Sequence, residues 1–463
     1  MQIYEHQQKA IDFILERNGS GALFLDCGLG KTVIALKVFE ELRKINPALK
    51  LIAVMPLSIL EAAWGNDIKQ FTTYIYYNAH LKPLPKTLNE DILLINYEAA
   101  ITSKNKDLWR LAKNNLLIAD ESGRLKNNQS KTCKTLLCLS AHAKHNIVMT
   151  ATPAPNTPLE YWGQIEMVRP KLLHTSGSFY AFRNSYFHLQ RGNQIMRGKL
   201  VTKAALMDAF RTGFKYQITT QNLARLMDKI SQVGLAIKKE DCLDLPDQVD
   251  EVRYVYLDAK HLKHYRELKN ELITEIEDNF ITAEMALIKV MKLREVTSSF
   301  LLSGIKEIEI GECLKLKELK NLIEELGDRQ LIVWCNFKWE IRKVTAELSK
   351  LAPTVALFSE TKDRDAQIEA FKTGAARYAV CHSASVGHGI TWVNCSMQVF
   401  FSLDYSWERW YQARARIHRI GQTEKCTYIH LLAHNTIDED IYRVLQDKGK
   451  MAEIVTRMVK HGQ

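Results

Sequence analysis

The sequence lacks several features that mark specialised classes of protein. No run of about 18 apolar residues occurs in its 463 positions, so no segment is expected to cross a membrane. The N-terminus, MQIYEHQQKAIDF, has neither the basic start nor the apolar stretch of a secretory signal peptide. The nine cysteines include no CxxC pair, which argues against a zinc site or a disulfide framework and favours a reducing cytoplasm.

Low-complexity segments and short internal repeats are also missing, which leaves an ordinary globular chain. Its length exceeds that of one typical domain, so two or three domains are expected. Apolar residues make up 46% of the chain and charged residues 25%, values typical of a protein with a well-filled core.

Positive charge is in excess and is concentrated in one stretch. The net charge is +10, and residues 171–240 contain twelve Lys and Arg but only three acids. Within this stretch, SFYAFRNSYFHLQR interleaves aromatic and basic side chains. Such a surface suits binding to a polyanion, because cations neutralise phosphates. The alternative is a helical face that is simply exposed to solvent. Our candidate nucleic-acid contacts in this stretch are Arg183, Arg191 and Arg197.

Apolar runs of strand length predict two α/β domains. Five runs occur in the first 170 residues, at 21–26, 49–56, 91–96, 115–120 and 145–153, with helical patterns between them. Such runs indicate a parallel sheet that is buried on both faces. A mostly helical region is predicted at 171–310. Five further runs follow, at 329–337, 354–359, 377–383, 397–402 and 426–433. We therefore expect α/β domains at 1–170 and 311–433.

The stretch LFLDCGLGKT (residues 23–32) lies between the first predicted strand and a helical pattern. In this context backbone N–H groups and the helix N-terminus face a phosphate. Lys31 would reach the β- and γ-phosphates, and the Thr32 hydroxyl would bind Mg²⁺. Leu25 stands where the GxxxxGK[ST] pattern has its first glycine. The predicted nucleotide-binding residues of this loop are Cys27, Gly28, Leu29, Gly30, Lys31 and Thr32.

The stretch NLLIADES (115–122) ends a predicted strand in two carboxylates. Asp120 could hold Mg²⁺, and Glu121 could orient or deprotonate an attacking water. The alternative is that both acids are merely solvated at the strand end. The phosphate-binding loop upstream argues against this alternative. ATP and Mg²⁺ are the expected cofactors.

Further motifs follow one another along the chain. They are YEHQQKAIDF, AVMPLSILEAAW (53–64), INYE (95–98), ADESGRLKN, MTATPAPNTP (149–158), LIVWCNF (331–337), SVGHGITW (385–392) and QARARIHRIGQ (412–422). This ordered set resembles the motifs of Swi/Snf-like DNA translocases in helicase superfamily two. The resemblance covers nearly the whole chain and is greatest to compact phage or prophage versions. It implies two RecA-like domains, a basic helical protrusion and linker at 171–310, and bracing helices at 434–463.

The last motif implies a role for two arginines. By resemblance, Arg416 and Arg419 are finger residues that reach the γ-phosphate across the cleft between the domains. A planar, always-charged guanidinium suits the spread charge of a transferring phosphoryl group. The i, i+3 spacing puts both on one face if a helix runs through them, and Arg414 is then structural. A basic surface helix is the alternative.

The other motifs imply further site residues. Gln7 takes the adenine-reading position, and Gly387 and Gln412 join the nucleotide-binding set. Thr150 and Thr152 link the ATP site to the DNA side. Candidate DNA-backbone contacts are Ser58, Tyr97, Asn336, Lys338 and Ser383, although such residues also cap helices or bound loops.

The resemblance implies an ATP-driven motor on double-stranded DNA that acts as a monomer, in the cytoplasm of a bacterial or phage-infected cell. Remodelling of branched DNA by the same motor, an RNA helicase and a nucleotide-gated DNA clamp without hydrolysis are the alternatives. The complete set of Lys31, Asp120, Glu121, Arg416 and Arg419 argues against the clamp. Ser122 and Gly123 replace the usual Ala and His of the second motif, and Thr391 replaces a frequent Asn. These departures suggest differently tuned coupling between ATP and DNA.

Overall fold

The computed structural model describes residues 3–102, 107–189, 216–277, 283–304, 306–384 and 391–461. Within these ranges, the first domain contains a seven-stranded sheet in the order β3-β4-β2-β5-β6-β1-β9, with every neighbouring pair parallel. Its strands are β1 (Gly21–Leu25), β2 (Leu51–Met55), β3 (Tyr76–Asn78), β4 (Ile92–Asn96), β5 (Leu116–Asp120), β6 (His145–Met149) and β9 (Gly234–Ile237).

Helices cover both faces of this sheet and enclose two apolar cores. They are α1 (Glu5–Leu15), α2 (Lys31–Ile45), α3 (Leu57–Ile59), α4 (Asn66–Phe71), α5 (Tyr97–Ala100), α6 (Leu108–Ala112), α7 (Lys131–Ser140) and α8 (Tyr161–Val168). A π-helical turn, Leu60–Gly65, joins α3 to α4. The five central strands are apolar and almost wholly buried, which explains why they form the middle of a parallel sheet.

The second domain contains, in its described residues, a six-stranded parallel sheet in the order β10-β17-β16-β13-β15-β14. Its strands are β10 (Gln248–Val255), β13 (Leu331–Cys335), β14 (Thr354–Leu357), β15 (Tyr378–His382), β16 (Met397–Phe400) and β17 (Cys426–Ala433). Its helices are α11 (Ala259–Glu277), α12 (Ala283–Thr297), α13 (Leu314–Leu326), α14 (Lys338–Leu348), α15 (Arg364–Lys372), α16 (Trp407–Arg414) and α17 (Ile437–His461). An antiparallel pair, β11 (Phe300–Ser303) and β12 (Lys306–Glu309), precedes α13.

The expected architecture of two RecA-like parallel-sheet domains is confirmed, but each of the two large sheets takes one strand from the region 171–310, which was expected to be mostly helical. β9 is a four-residue buried strand beside β1, and β10 is a half-buried edge strand beside β17. Their shortness and partial exposure hide them from a search for long apolar runs. The sheet of the first domain therefore closes only after residue 233.

The basic region is anchored to the first domain. Its described helices are α9 (Phe179–Tyr186) and α10 (Thr220–Ser231), and its strands β7 (Phe187–Leu189) and β8 (Tyr216–Ile218) pair antiparallel. Phe182 and Ile230 are fully buried in the core of the first domain. Arg191 and Arg197 lie outside the described residues.

The bracing segment is one helix, α17, over its described residues. It follows β17 of the second sheet and also contacts β9 and α10 of the first domain. Lys448 Nζ donates to Asn156 Oδ1 in the first domain and to the Tyr405 carbonyl oxygen in the second, both at 3.0 Å. Nowhere in the described ranges does a helix combine the length and apolarity needed to cross a membrane.

Candidate active site

The loop between β1 and α2 has the backbone shape that phosphate binding requires. Gly28 and Gly30 have φ angles of +92° and +76°, which residues with a side chain rarely adopt. Space is also limiting at Gly30, where a methyl group would collide with the Gln7 amide, whereas one on Gly28 would make an ordinary contact with Arg419 Cγ at 3.4 Å. Helix α2 begins directly after Gly30, so its unpaired N–H groups face the loop.

The Lys31 ammonium group lies inside the curve of this loop. Its Nζ donates to the carbonyl oxygens of Leu25 and Asp26, at 3.0 and 3.3 Å. Leu25 is the last residue of β1, is fully buried and does not have a positive φ. The loop therefore accommodates a leucine where the usual pattern has glycine, because the chain is still extended there.

Helix α1 packs against the same loop. Gln7 Oε1 accepts the Tyr4 N–H at 3.1 Å, and Gln7 Nε2 donates to the Leu29 carbonyl oxygen at 3.4 Å. His6 Nε2 lies 3.3 Å from the same carbonyl oxygen. Cys27 and Leu29 are buried. The structure thus brings Gln7 together with the predicted phosphate-binding residues.

The two carboxylates at the end of β5 have different environments. Asp120 is 4% exposed, and its oxygens accept Trp64 Nε1–H and the Glu121 N–H, each at 2.9 Å. Burial, reinforced by the charge of Glu121, raises the pKa of Asp120 to about 6, while Lys31 opposes the rise. Glu121 has a φ of 53°, a left-handed conformation that costs of order 1–3 kcal/mol in a residue with a side chain.

Glu121 is tied to the chain that follows β6. Thr150 Oγ1 donates to Glu121 Oε2 at 3.1 Å and accepts the Thr152 N–H at 3.2 Å. Both threonines are buried, and Thr152 Oγ1 has no hydrogen-bond partner within the described ranges. The structure thus connects the two expected coupling residues to the carboxylate expected to act on water.

Ser122 provides a second tie that sequence reasoning missed. Its Oγ donates to Gln164 Oε1 at 2.8 Å, and Gln164 Nε2 donates to the Pro153 carbonyl oxygen at 2.6 Å. An alanine at position 122 could not make the first bond, so this departure from the usual motif links the acidic motif to α8 and to the loop between β6 and α8.

Arg416 and Arg419 face this site from the second domain. Arg416 is 3% exposed, and burial together with the neighbouring Arg419 lowers its pKa to about 10, opposed by the charge of Glu121. Arg419 Nη1 donates to Thr391 Oγ1 at 2.8 Å, and its Nε donates to the Ala415 carbonyl oxygen at 2.7 Å. Its aliphatic stem lies over Gly28. Both guanidinium groups remain charged at neutral pH.

The helical face expected for these arginines is not formed. Helix α16 ends at Arg414, so Arg416 and Arg419 lie in the turn that follows it. Arg414 forms an ion pair with Asp250 and lies 3.9 Å from the ring centre of Tyr428, which makes it structural. Gln412 Nε2 is buried and lacks a hydrogen-bond partner among the described residues.

A hydrogen bond across the cleft joins the two domains at the phosphate-binding loop. Tyr411 Oη donates to Asp26 Oδ1 at 2.6 Å. Burial, followed by the charge of Asp26, raises the pKa of Tyr411, so the phenol keeps its proton. Lys239 N–H donates to the other Asp26 oxygen at 3.1 Å, and Lys239 Nζ donates to the His418 carbonyl oxygen at 3.2 Å. Because Tyr411 and Asp26 are 385 residues apart in sequence, no local pattern predicts this contact.

A cavity of about 250 Å³ lies beside this bond and is lined from both domains. Its walls include Thr152 and Tyr161 from the first domain, and Trp407 and Trp410 from the second. The rings of Trp407 and Tyr411 stack with their centres 5.0 Å apart.

Asp67 of α4 is a further acidic side chain at the loop. Burial raises the pKa of its carboxylate to about 6, and the neighbouring Thr32 side chain opposes that rise. Sequence reasoning missed both Asp67 and Trp64, since each lies beside a residue of a distant motif.

The expected DNA contacts fall into different environments. Ser58 and Lys338 are exposed, and Lys338 Nζ forms an ion pair with Glu360 at 2.9 Å. Asn336 and Ser383 follow the neighbouring strands β13 and β15, and Ser383 Oγ donates to Asn336 Oδ1 at 2.7 Å. These four residues lie on or near the surface.

Tyr97 requires a correction. It is 1% exposed in the apolar core, and its hydroxyl donates to the Asp120 carbonyl oxygen at 2.8 Å. A side chain enclosed in this way cannot reach a DNA backbone, so Tyr97 supports the acidic motif instead. Arg183 is half-buried and lies 4.2 Å from the ring centre of Tyr216. Gly387 lies outside the described residues.

Two family models cover most of the chain. The SNF2-related domain matches residues 6–307, and the helicase conserved C-terminal domain matches residues 314–421. The first match ends and the second begins close to α13, where the main part of the second domain starts.

Individual relatives are distant but span the chain. A Caenorhabditis elegans SWI/SNF-related matrix-associated actin-dependent regulator of chromatin subfamily A-like protein 1 homolog is 24% identical, over 96% of this chain and 61% of that protein. Putative protein p41 of Acyrthosiphon pisum secondary endosymbiont phage 1 is 23% identical over 98% of both chains. An uncharacterized ATP-dependent helicase of Mycoplasma pneumoniae is 24% identical, over 98% of this chain and 42% of that protein.

Among solved structures, a Sulfolobus solfataricus SWI2/SNF2 ATPase core in complex with dsDNA is 22% identical to this chain. The superposition has a TM-score of 0.45 and covers 99% of this chain and 93% of the Sulfolobus chain. The chain spans less than two thirds of the worm relative's length, although it spans nearly all of the phage protein. Since the SNF2-related model alone matches more than half of the residues, the protein belongs to the SNF2-related family and has a helicase-type ATPase core.

Proposed function

We propose that the protein is an ATP-driven motor that translocates along double-stranded DNA. The observation that carries this proposal is the position of Arg416 and Arg419. They belong to the second domain yet lie at the phosphate-binding loop and acidic motif of the first. A nucleotide bound there contacts both domains, so its hydrolysis changes how firmly the domains hold together.

The residues around the loop have separate roles in the proposed hydrolysis. Lys31 and the N–H groups of α2 bind the β- and γ-phosphates, and Glu121, held by Thr150, orients the attacking water. Arg416 and Arg419 stabilise the charge of the transferring phosphoryl group, a contribution worth roughly 10³–10⁵ in rate for such fingers.

The donor set at the loop fits a magnesium ion. Mg²⁺ prefers oxygen ligands and uses one or two protein groups together with waters and substrate phosphates. Thr32 and Asp120 would supply a hydroxyl and a carboxylate, and the Asp120 carboxylate is already held by the indole N–H of Trp64. When bound, the ion neutralises negative charge on the β- and γ-phosphates.

Unpaired polar atoms at the cleft also support a bound ligand. Gln412 Nε2 and Thr152 Oγ1 are buried without partners in the described part of the chain. Leaving a buried donor unsatisfied costs about 1–3 kcal/mol, so these groups favour a ligand that accepts or donates hydrogen bonds there.

DNA is the proposed track because of charge and surface position. Ser58 on the first domain, and Asn336, Lys338 and Ser383 on the second, offer one phosphate-binding surface per domain. The basic region adds Arg183, Arg191 and Arg197 as proposed contacts. Alternate tightening of these two surfaces during the ATP cycle would move the protein along the backbone, with strong salt dependence and little sequence preference.

A monomer is the proposed acting unit, since one chain supplies both halves of the ATP site. The phage-encoded relative supports the cytoplasm of a bacterial or phage-infected cell as the proposed location.

The test is steady-state ATP hydrolysis without nucleic acid and with single-stranded DNA, linear duplex, forked DNA or RNA. We expect duplex to stimulate hydrolysis strongly, and Glu121→Gln to abolish it. Glu324→Gln, an exposed acid on α13, is the matched control and should behave like the wild type. Displacement of a third strand from a triplex then measures movement along the duplex.

Other outcomes would favour the alternatives. A stronger response to forks than to duplex indicates remodelling of branched DNA, and stimulation by RNA alone indicates an RNA helicase. ATP binding without hydrolysis under every condition would overturn the motor and leave a nucleotide-gated clamp.

A further inference from the structure

The two domains are joined by residues 238–247, which run from β9 of the first sheet to β10 of the second. The sheets fix both ends of this joining segment. At its start, Ile237 pairs with Leu25, the last residue before the phosphate-binding loop. At its end, Gln248 pairs with Cys426, the first residue of β17. The joining segment therefore begins beside the phosphate-binding loop of the first domain and ends beside β17 of the second.

The joining segment contacts His418 at two points. Lys239 is 4% exposed, and its Nζ donates to the His418 carbonyl oxygen at 3.2 Å. The His418 ring is also buried, and its Nε2–H donates to the Pro246 carbonyl oxygen at 2.9 Å. Lys239 is bound to the first domain as well, because its backbone N–H donates to Asp26 Oδ2 at 3.1 Å. One residue thus connects His418 to the phosphate-binding loop.

His418 lies between the two arginines that are expected to reach the γ-phosphate. Helix α16 ends at Arg414, so the turn that carries Arg416 and Arg419 is not part of that helix. The Arg416 carbonyl oxygen accepts the Trp392 N–H at 3.0 Å, and His418 is bound to the joining segment. Contacts with other parts of the chain therefore set where the two guanidinium groups lie.

The charge states of Lys239 and His418 suit these bonds. Burial lowers the pKa of Lys239, and the charge of Asp26 opposes that fall. Burial, together with the charge of Lys239, lowers the pKa of His418 to about 4, so its ring is neutral at neutral pH. A neutral ring carries one N–H, and Nε2 holds it because its neighbour is a carbonyl oxygen. The bare Nδ1 is buried without a partner in the described part of the chain.

We propose that Lys239 and His418 are positioning residues for Arg416 and Arg419, because they fix the turn that carries both arginines to the joining segment. This inference rests on the proposed hydrolysis of ATP with these arginines at the γ-phosphate. Neither Lys239 nor His418 is assigned a contact with the nucleotide. Since Lys239 also bonds to Asp26, the turn is placed relative to the phosphate-binding loop itself. A displacement of about 1 Å at such a site can cost about 100-fold in rate.

The variants Lys239→Met and His418→Phe test the proposal, because each keeps a side chain of similar size and removes the donor. His418→Gln keeps an amide N–H in place of the ring N–H and should recover most of the function lost in His418→Phe. The matched control is Lys425→Met, which makes the same change at an exposed lysine just before β17. Thermal unfolding of each variant identifies any that fail to fold.

The readout is the binding of a fluorescent ADP analogue with Mg²⁺, measured without and with aluminium fluoride, which mimics the transferring phosphoryl group. The arginines stabilise that group rather than ADP, so Lys239→Met and His418→Phe should bind the analogue alone like the wild type. The gain in affinity on adding aluminium fluoride should fall at least about tenfold in both variants, and kcat for ATP on duplex DNA should fall with it. Lys425→Met should match the wild type in each measurement.

A second comparison uses a chain that lacks both arginines. Arg416→Ala combined with Arg419→Ala should lose the gain from aluminium fluoride. Adding Lys239→Met to that chain should cause no further loss, because residues that act through one another are not additive. A merely structural role for Lys239 would instead weaken binding of the analogue alone in both backgrounds.

Three results would overturn the inference. If folded Lys239→Met and His418→Phe show the wild-type gain from aluminium fluoride while the wild type hydrolyses ATP on duplex DNA, the positioning role fails and the proposed function stands. The same conclusion follows if these variants bind the analogue alone as poorly as they bind it with aluminium fluoride, since the defect then lies in nucleotide binding. If the wild type gains no affinity from aluminium fluoride and hydrolyses no ATP, both proposals fail together.

Discussion

Single residues deep in the second domain hold several elements in place, and Lys315 is the clearest case. Its Nζ lies 2.6 Å from Asp438 Oδ2, and both side chains are almost wholly buried. The Asp438 carboxylate also accepts Thr297 Oγ1–H and the Ala433 N–H, each at 3.1 Å. One ion pair therefore joins the starts of α13 and α17 to the end of α12.

Removing the cation should destabilise the second domain. Lys315→Met leaves a buried carboxylate without its counter-charge, which typically costs about 3–5 kcal/mol. Chemical denaturation should show an earlier midpoint for the transition of the second domain. The control Lys317→Met, at an exposed position of the same helix, should stay within about 0.5 kcal/mol of the wild type. A Lys315→Met midpoint equal to that of the control would contradict this account.

At this scale, the sequence identifies residues whose chemistry is local and misses those whose partners are remote. The glycines, Lys31 and the two carboxylates occur within short motifs next to predicted strands, so their positions follow from chain order. The Asp26–Tyr411 bond depends on how two domains meet, which no motif encodes. Tyr97 was misassigned because its position after a strand resembles that of a surface contact, whereas its ring packs inward.

At the scale of elements, the hairpin of β7 and β8 defines how the basic region leaves the first domain. Leu189 pairs with Tyr216, so the chain departs and returns at one place. The 26 residues between them contain six Lys and Arg and one acid. The hairpin therefore brings the two ends of a strongly basic stretch of sequence side by side.

Replacing residues 190–215 with a short glycine-rich turn should leave the first domain folded and its basal ATP hydrolysis unchanged. Duplex affinity at low salt should fall at least about tenfold, with a shallower salt dependence, because fewer phosphates are neutralised. Fluorescence anisotropy across a salt series measures both quantities. A full-length variant with the six basic residues changed to glutamine is the control for charge alone. Unchanged affinity and slope in both proteins would exclude this segment from DNA binding.

Prediction of the elements succeeded where burial was complete. The central strands of both sheets are continuous apolar runs because helices cover both faces, so their positions agree with the sequence-based prediction. The edge strands β3 and β10 are half-exposed, and β9 has only four residues, so their patterns do not stand out. These short strands decide where the domains begin and end.

At the scale of the whole molecule, contacts between described side chains hold the domains together around the cleft. They include the Asp26–Tyr411 hydrogen bond, the Lys126–Glu408 ion pair at 3.5 Å and the two bonds of Lys448. The first joins the phosphate-binding loop to helix α16, which precedes Arg416 and Arg419. Its loss should therefore affect domain closure more than domain folding.

Tyr411→Phe removes a hydrogen bond to a carboxylate, which is worth about 1.5–3 kcal/mol, and should shift the nucleotide-free protein towards an open cleft. Small-angle X-ray scattering should show a larger radius of gyration for Tyr411→Phe than for the wild type. When Glu121→Gln is added to the same chain to block hydrolysis, ATP should reduce the radius of gyration again. Lys126→Met is the control, since an exposed ion pair contributes at most about 1 kcal/mol. An unchanged radius of gyration in Tyr411→Phe would show that other contacts hold the cleft.

The aromatic wall of the interdomain cavity has a practical consequence. Trp407 is 7% exposed and stacks on Tyr411, and Trp410 borders the same space. When the cleft opens, water gains access to these indole rings, and their emission moves to longer wavelengths. The unmodified protein thus contains its own optical reporter, and stopped-flow fluorescence could time the opening and closing of the cleft within a single turnover.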